Sequence, residues 1–477
     1  MATRSSGRSA AILAVAGGYG VQAGLLGLAF AATRAGGDLG SSLESSGSRL
    51  LAGGALALAV TSIALLVLAR RRAAAARREQ FDLPLSMALV SGLLCFLVIE
   101  AGLRVIAQPD ALGQRIGATV LLPYEWPAVA QANRELLAGS RPDSDFYVAD
   151  PRLGWTIGPA RTSEDGLYAS GAEGLRSREP GLVEAAVRAG PRIALFGDSF
   201  AFSEEVAFPD SLARYLEEEL GNGAQLLNFG VPGFGIDQAA LRFQYEGARW
   251  APRVAVLAFI EDDLLRTANV YTFLKGSWGL PLSKPRYVLR DGRLELVNSP
   301  TLAGEALFGR SSVFDLPYLD YEIEFVAERW RRHPLHASYL LRLLNGMFPG
   351  WPARGSLVSD DAIVALSTRI IQDFRNSALA NGMAPVIVYF PTSGDLNPAG
   401  KRPIKNRVLA SLAVDGVAAT DLTPCFAAGS QAAEPFMPGG HYTGSGNQAM
   451  AGCLAPLIRT ALESTGADNG AAAEPPP

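Results

Sequence analysis

From about residue 191 the chain alternates short apolar runs with longer amphipathic ones, and this alternation constrains the fold more than any other feature. Arg192–Phe196 (RIALF), Gln225–Phe229 (QLLNF), Arg253–Phe259 (RVAVLAF) and Pro385–Phe390 (PVIVYF) are short and rich in branched and aromatic residues, which predicts buried strands. Between the first two, Pro209–Leu220 puts Leu212, Leu216 and Leu220 on one helical face. Further helices are predicted over Asp237–Arg249, Asp360–Ala380 and Lys405–Leu412, then a short strand near Val417–Asp421 and a closing helix over Ser445–Leu462. Repeated strand–helix units predict an α/β fold of three layers, with a parallel sheet covered on both faces. Ligands of such sheets bind beyond the carboxyl ends of the strands. Ser199, Gly233 and Asp262 each follow a strand, so three strands deliver polar groups to one rim.

The first hundred residues have a different character and explain why the chain of 477 residues is 49% hydrophobic and only 18% charged. Three apolar stretches, Ala10–Ala32, Leu50–Ala69 and Leu83–Ile99 continuing toward Ala107, approach the ~20 residues that a spanning helix needs. Glu100 and Arg104, four apart, are placed to pair at the end of the third. The loop after the second stretch carries Arg70, Arg71, Arg72, Arg77 and Arg78, whereas the first loop sets Arg34 and Arg49 against Asp38 and Glu44. The positive-inside rule places the five-arginine loop in the cytoplasm and everything after residue 107 outside. A cleaved signal peptide ending at Ala29-Phe30-Ala31 is the alternative for the first stretch and leaves that placement unchanged.

The chain thus divides into a membrane region with three transmembrane helices (1–107), a connector (108–190), an α/β domain (191–465) with an insertion at about 264–358, and a disordered tail (466–477). The expected location is the inner (cytoplasmic) membrane, multi-pass, with the lipid bilayer as one partner and the C-terminal domain on the periplasmic or extracellular side. The insertion, with Trp278, Trp330 and a hairpin turning at Asp291-Gly292, reads either as a binding lid or as a packing subdomain. Lys+Arg of 42 against Asp+Glu of 46 leaves no electrostatic footprint for nucleic acid. Three cysteines make neither a disulfide framework nor a Cys-rich zinc site. Cys425, after the last strand, and Cys453, on the last helix, are either a bridge or two buried thiols.

A serine between a buried strand and a helix start is exposed at the sheet rim, where helix N–H groups favour developing negative charge. Ser199 stands there. It needs a base, and the chain has only His333, His336 and His441. The first two lie in the insertion; His441 directly precedes the closing helix. The Ser199 and Gly233 N–H groups are candidate oxyanion donors. The order G-x-x-G-x-G in GVPGFG, after the second strand, argues against a dinucleotide loop.

These blocks together resemble the SGNH hydrolases, or GDSL-type esterases, and similarity to bacterial membrane-anchored members extends to GWTIGP and GLRSREP. GDSFAF matches the serine block (Ser199), NFGVPGFG the glycine block (Gly233), FIEDDLLR the asparagine block and GGHYTGSGNQAMA the histidine block (His441). The resemblance implies a flavodoxin-like SGNH domain using Ser199 and His441, an oxyanion hole from Ser199, Gly233 and the asparagine position, and no metal or organic cofactor. Two positions depart from the pattern. Asp262 stands at the asparagine, where it donates to an oxyanion only if protonated in a desolvated site. The family aspartate before the histidine is missing, Pro438 and Gly439 standing there, which leaves a backbone carbonyl, Asp421, Glu434 or nothing to orient His441. The implied activity is hydrolysis of acyl esters, with O-acetyl groups of an acylated cell-surface or exported glycan as the suggested substrate. The alternatives are a polysaccharide O-acyltransferase with the same serine and histidine, and a degenerate glycan-binding or scaffold protein.

Overall fold

The computed structural model describes residues 2–34, 57, 60–68, 70–71, 82–141, 143, 145–183, 190–275, 280–348, 358–396, 403–426 and 434–471. Its core is a seven-stranded sheet: β1 (Ala169–Ser170), β2 (Arg176–Ser177), β3 (Arg192–Phe196), β4 (Gln225–Asn228), β5 (Val254–Phe259), β6 (Ala384–Tyr389) and β7 (Thr420–Asp421), in the order β7-β6-β5-β3-β4-β2-β1. The five strands β3 to β7 run parallel, as their apolar sequences require. The sheet is nevertheless mixed, because β2 pairs antiparallel with both β4 and β1. Strands β1 and β2 come from 108–190, so the segment predicted as a connector completes the sheet and buries Leu153, Trp155 and Leu175 in its core.

Period-2 alternation divides the buried strand residues between two layers. Phe196, Leu257 and Tyr389 face α5 (Ile236–Glu246), α8 (Asp360–Ala380) and α9 (Pro403–Val414). Leu195, Val256 and Val388 face α4 (Leu212–Leu220) and α10 (Gly444–Ala471). Strand order reverses between β3 and β5, the switch point at which such sheets open a crevice. Two short helices begin there, α3 (Ser199–Phe202) after β3 and α6 (Glu261–Arg266) after β5. α10 is helical through Ala471, beyond the expected end of order at 465; residues 472–477 lie outside the described residues. Cys425 and Cys453 form a disulfide with Cα atoms 6.3 Å apart, tying the turn after β7 to α10.

The insertion packs with the helix Trp126–Gly139 in a second core built around Trp126, Phe273, Phe308 and Trp330. Its hairpin, Arg286–Arg290 with Arg293–Val297, turns at Asp291-Gly292 as predicted. Within this unit Glu322 accepts bonds from the N–H groups of Val270, Tyr271 and Glu324 and from Asn269 Nδ2. Lys284 pairs with Asp237 of α5, the two being 1% and 0% exposed, which locks the insertion onto the α/β layers.

Among the described residues two helices, not three, are long and apolar enough to cross a membrane: Ala11–Phe30, mean hydropathy 1.6, within α1 (Ala2–Arg34), and Pro84–Ile106, mean hydropathy 2.1, within α2 (Asp82–Ile106). The stretch Leu50–Ala69 and the five-arginine loop fall largely outside the described residues. Residues 60–68 are helical and antiparallel to α1, with Ser62 against Gly20 and Leu66 against Gly17. α1 and α2 point the same way: Gly18 packs on Ala88, while Phe30 and Glu100, further along each, both reach α7 (Tyr339–Met347). Glu100 and Arg104 pair at 3.6 Å as anticipated, and Glu100 also accepts the N–H groups of Tyr339 and Leu340 at the start of α7.

Breaking a buried ion pair on one side leaves an uncompensated charge, which costs about 3–5 kcal/mol. Lys284→Met is therefore expected to lower the thermal midpoint by several degrees, and Lys284→Met with Asp237→Leu to recover most of the loss. Equal midpoints for the single variant and wild type would contradict the pinning of the insertion.

Candidate active site

β3 is followed by Gly197-Asp198 and the chain turns into α3, with Ser199 as the first helical residue. Asp198 caps this helix by accepting the Phe200 N–H at 2.9 Å. At the first helical position the Ser199 N–H has no intrahelical acceptor and is available to a ligand. After β4, Asn228 fixes the next turn: its Nδ2 donates to Ala201 O at 2.9 Å and its Oδ1 accepts the Gly230 N–H. Gly233 follows at φ +82°, a left-handed conformation suited to glycine, and the Trp155 ring lies 3.4 Å from where a Cβ would stand.

His441 is held beside the serine by its neighbour. Tyr442, fully buried, donates to Pro391 O at 2.6 Å, and the His441 ring packs on Phe200 with centroids 5.0 Å apart. His441 Nε2 lies 2.8 Å from Ser199 Oγ, and Nδ1 lies 2.9 Å from Glu205 Oε2. The same carboxylate oxygen accepts the His441 backbone N–H at 3.0 Å. Burial works to raise the Glu205 pKa, but the bonds from the His441 backbone and ring, the imidazole charge and the Gly439 N–H outweigh it and hold the carboxyl below its ordinary value. Glu205 is thus an anion aligned with one ring nitrogen while the serine meets the other.

Neither acid expected from the sequence occupies that place. Asp421 accepts from Lys405 Nζ and from Thr423, and Glu434 is exposed, with its carbonyl accepting from Thr443. Gly439 explains the exchange. A Cβ on Gly439 would stand 1.9 Å from Glu205 Oε1, so the Glu205 carboxylate fills the space that a side chain at position 439 would take. Glu205 reaches it from a backbone at φ +70°, uncommon for a residue with a side chain. The available signal was local: two adjacent acids, Glu204-Glu205, soon after the serine in an otherwise apolar stretch.

Asp262, in the first turn of α6, lines the cleft but is exposed, so the desolvated setting expected for it is not there. The buried acid of this block is Asp263. It accepts the Ile260 N–H and an Arg266 guanidinium bond of 2.6 Å. Burial, with the Asp198 charge adding to it, pushes the Asp263 carboxyl well above its usual range. Arg266 Nη1 also lies 3.4 Å from Asp198 Oδ2 and 3.2 Å from Phe234 O, joining the turns after β3, β4 and β5. His333 and His336 lie apart, bonded within their own turn in the insertion. Burial foremost, then the charges of His333, Arg342 and Arg332, lowers the His336 pKa to about 4.

Ser199, Gly233, Asp262 and His441 share a cleft of about 660 Å³. Tyr147 and Trp155 from 108–190 form one wall, and Thr272, Leu280 and Lys284 of the insertion line another. No group of acids, histidines or cysteines able to hold a metal ion occurs among the described residues.

No protein-family model matches the chain, and no curated protein does. Among solved structures it is similar to a GDSL-like lipase from Bacteroides thetaiotaomicron (13% identity, covering 59% of this chain and 94% of that one, TM-score 0.28). It is similar also to a member of the lipolytic protein G-D-S-L family from Veillonella parvula (10%, 55% and 94%, TM-score 0.28) and to TesA (10%, 57% and 99%, TM-score 0.31). Likeness at this level does not bear on function.

Proposed function

We propose that this chain is a serine-dependent acyl-ester hydrolase whose reacting groups are Ser199, His441 and Glu205. The observation that supports it most is the continuous line from the Glu205 carboxylate through both ring nitrogens of His441 to Ser199 Oγ, with bonds of 2.9 and 2.8 Å. Ser199 Oγ attacks the ester carbonyl carbon while its proton passes to Nε2. Glu205 holds the Nδ1–H tautomer and stabilises the imidazolium. The oxyanion forms against the Ser199 and Gly233 N–H groups. Collapse breaks the bond to the leaving alcohol, which takes the Nε2 proton. Water then cleaves the acyl-serine by the same steps in reverse. The scaffold alternative rests on two departures, Asp262 and the missing acid, and Glu205 speaks against the second. An O-acyltransferase would differ only in its second nucleophile.

The proposed substrate is an acylated glycan, such as an O-acetylated cell-surface or exported polysaccharide; its support is the resemblance to bacterial membrane-anchored members. The proposed setting is the inner membrane, with the catalytic domain on the exoplasmic side, supported by the parallel α1 and α2 and by the arginine-rich loop between them. With native cysteines replaced, a cysteine just after residue 110 is expected to react with an impermeant thiol reagent on intact cells, and one within 73–80 is not. The opposite labelling pattern would reverse the orientation.

Ser199→Ala and His441→Ala are each expected to abolish nearly all turnover of an aryl acetate, with the double variant little worse because the residues act as one unit. Glu205→Gly should lower kcat by about 10³–10⁴-fold through loss of ring orientation and charge. Glu205→Gly combined with Gly439→Asp should regain much of that loss, because the new carboxylate enters the vacated space. No recovery in the combined variant, with folding intact, would reject Glu205 as the acid.

At the third corner of the oxyanion site, Asp262→Asn exchanges an exposed carboxylate for an N–H donor. One such donor can contribute about 10²–10³ in kcat, so Asp262→Asn should keep or raise the rate and exceed Asp262→Ala. A steep fall in Asp262→Asn alone would assign Asp262 a role that needs its charge.

A further inference from the structure

Glu204 directly precedes the residue that holds Nδ1, yet its side chain turns into the cleft. Its Oε2 stands 3.3 Å from His441 Nε2, the nitrogen that also meets Ser199 Oγ. The proposed first half-reaction uses Ser199 Oγ, the His441 ring, Glu205 and the backbone N–H groups, and gives Glu204 no task. The groups facing it are His441, Asp198, Glu205 and Arg266 around the nucleophile, with Tyr147, Tyr168 and Arg176 on the other side. Burial foremost raises the Glu204 pKa; Asp198 and Glu205 add to the rise, and His441 and Arg266 oppose it.

Once Ser199 is acylated, a second nucleophile must enter from the cleft and give a proton to Nε2. Water carries two O–H bonds. When one points at Nε2, the other needs an acceptor at about 3 Å from the water oxygen. A carboxylate oxygen 3.3 Å from Nε2 lies within reach of that second O–H. A simple alcohol has only one O–H, already directed at Nε2, and turns carbon toward Glu204.

We propose that Glu204 positions the hydrolytic water, so that the site takes water as acyl acceptor in preference to a simple alcohol. The inference rests on the serine-ester reading. The water oxygen bonds to the acyl carbonyl carbon as one of its protons passes to Nε2, while its other O–H stays bonded to Glu204. Collapse breaks the bond from that carbon to Oγ, the Nε2 proton moves to Oγ, and the carboxylic acid leaves. Glu204 ends the cycle as it began.

Pre-steady-state release of nitrophenolate from p-nitrophenyl acetate by the full-length protein in detergent separates the two half-reactions. Glu204→Leu is expected to acylate within about threefold of the wild-type rate and to deacylate about 10–100-fold more slowly. It should therefore show a burst of about one equivalent, with an acetyl adduct on Ser199 by intact mass. Methanol, which needs no second acceptor, should speed turnover of Glu204→Leu by a larger factor than wild type, and Glu204→Asp should restore part of the deacylation rate. A thermal midpoint near that of wild type certifies the fold of each variant. Acylation and deacylation falling together, or equal methanol factors for wild type and Glu204→Leu, would overturn the proposal. Turnover retained in Ser199→Ala would instead defeat the serine-ester reading and this proposal with it.

Discussion

The bond between Glu205 and His441 is the constraint on which the site depends. An imidazole beside a serine acts as a base only if its far nitrogen carries the proton and the ring is held still. Glu205 does both through one oxygen, which meets Nδ1 at 2.9 Å and the backbone N–H of the same residue at 3.0 Å. Two local features permit this: a backbone at φ +70° where the chain leaves α3, and the absence of a side chain at Gly439. A left-handed conformation on a residue with a Cβ costs of order 1 kcal/mol and persists where the surroundings over-determine it. Here the Glu205 N–H is held by Tyr168 Oη at 2.8 Å, and the carboxylate is held by the histidine loop.

A second set of charges aligns the three strand ends with one another. Arg266 reaches Asp198 after β3, Phe234 O after β4 and Asp263 after β5. Burial works against its charge, but Asp263 and Asp198 outweigh that and hold its pKa above the ordinary value. Three turns that are far apart in sequence thus share one cation. Because that cation is bonded to two carboxylates, it rigidifies the floor of the cleft while adding little net positive charge to it. In the proposed reaction the oxyanion is left to backbone N–H groups, which carry their dipoles in fixed positions and need no counter-ion.

The sheet was legible because its strands are buried on both faces. RIALF matches β3 residue for residue, and the predicted helix Asp360–Ala380 matches α8 at both ends. Such runs need no tertiary information to be recognised. The strands β1 and β2 were not legible: at two residues each they have no period, and they exist because Arg176 of β2 finds Asn228 of β4 across 52 positions of chain. In the site, Ser199 and His441 were legible from their blocks, and the structure brings them to 2.8 Å. Glu205 was not, because its role depends on Gly439, 234 residues away, and a glycine in sequence does not reveal what fills its space. The desolvation on which a donor role for Asp262 was conditional was not legible either, since helix phase decides which of two adjacent acids faces the core, and it turns Asp263 inward.

The same long-range logic joins the cleft to the apolar helices. Glu100 sits near the end of α2 and binds the first N–H groups of α7, which a helix start otherwise leaves unsatisfied. Its position in an apolar helix would be costly without those partners, so the pairing favours one docking geometry over others. α7 belongs to the insertion, whose aromatic core also takes in Trp126 and whose Lys284 is fixed to Asp237 beneath the cleft. Each joint is a buried charge that is satisfied only in the assembled arrangement. Thr272, Leu280 and Lys284 of the insertion line the cleft, and a freely swinging lid would have to break the Lys284–Asp237 pair to open.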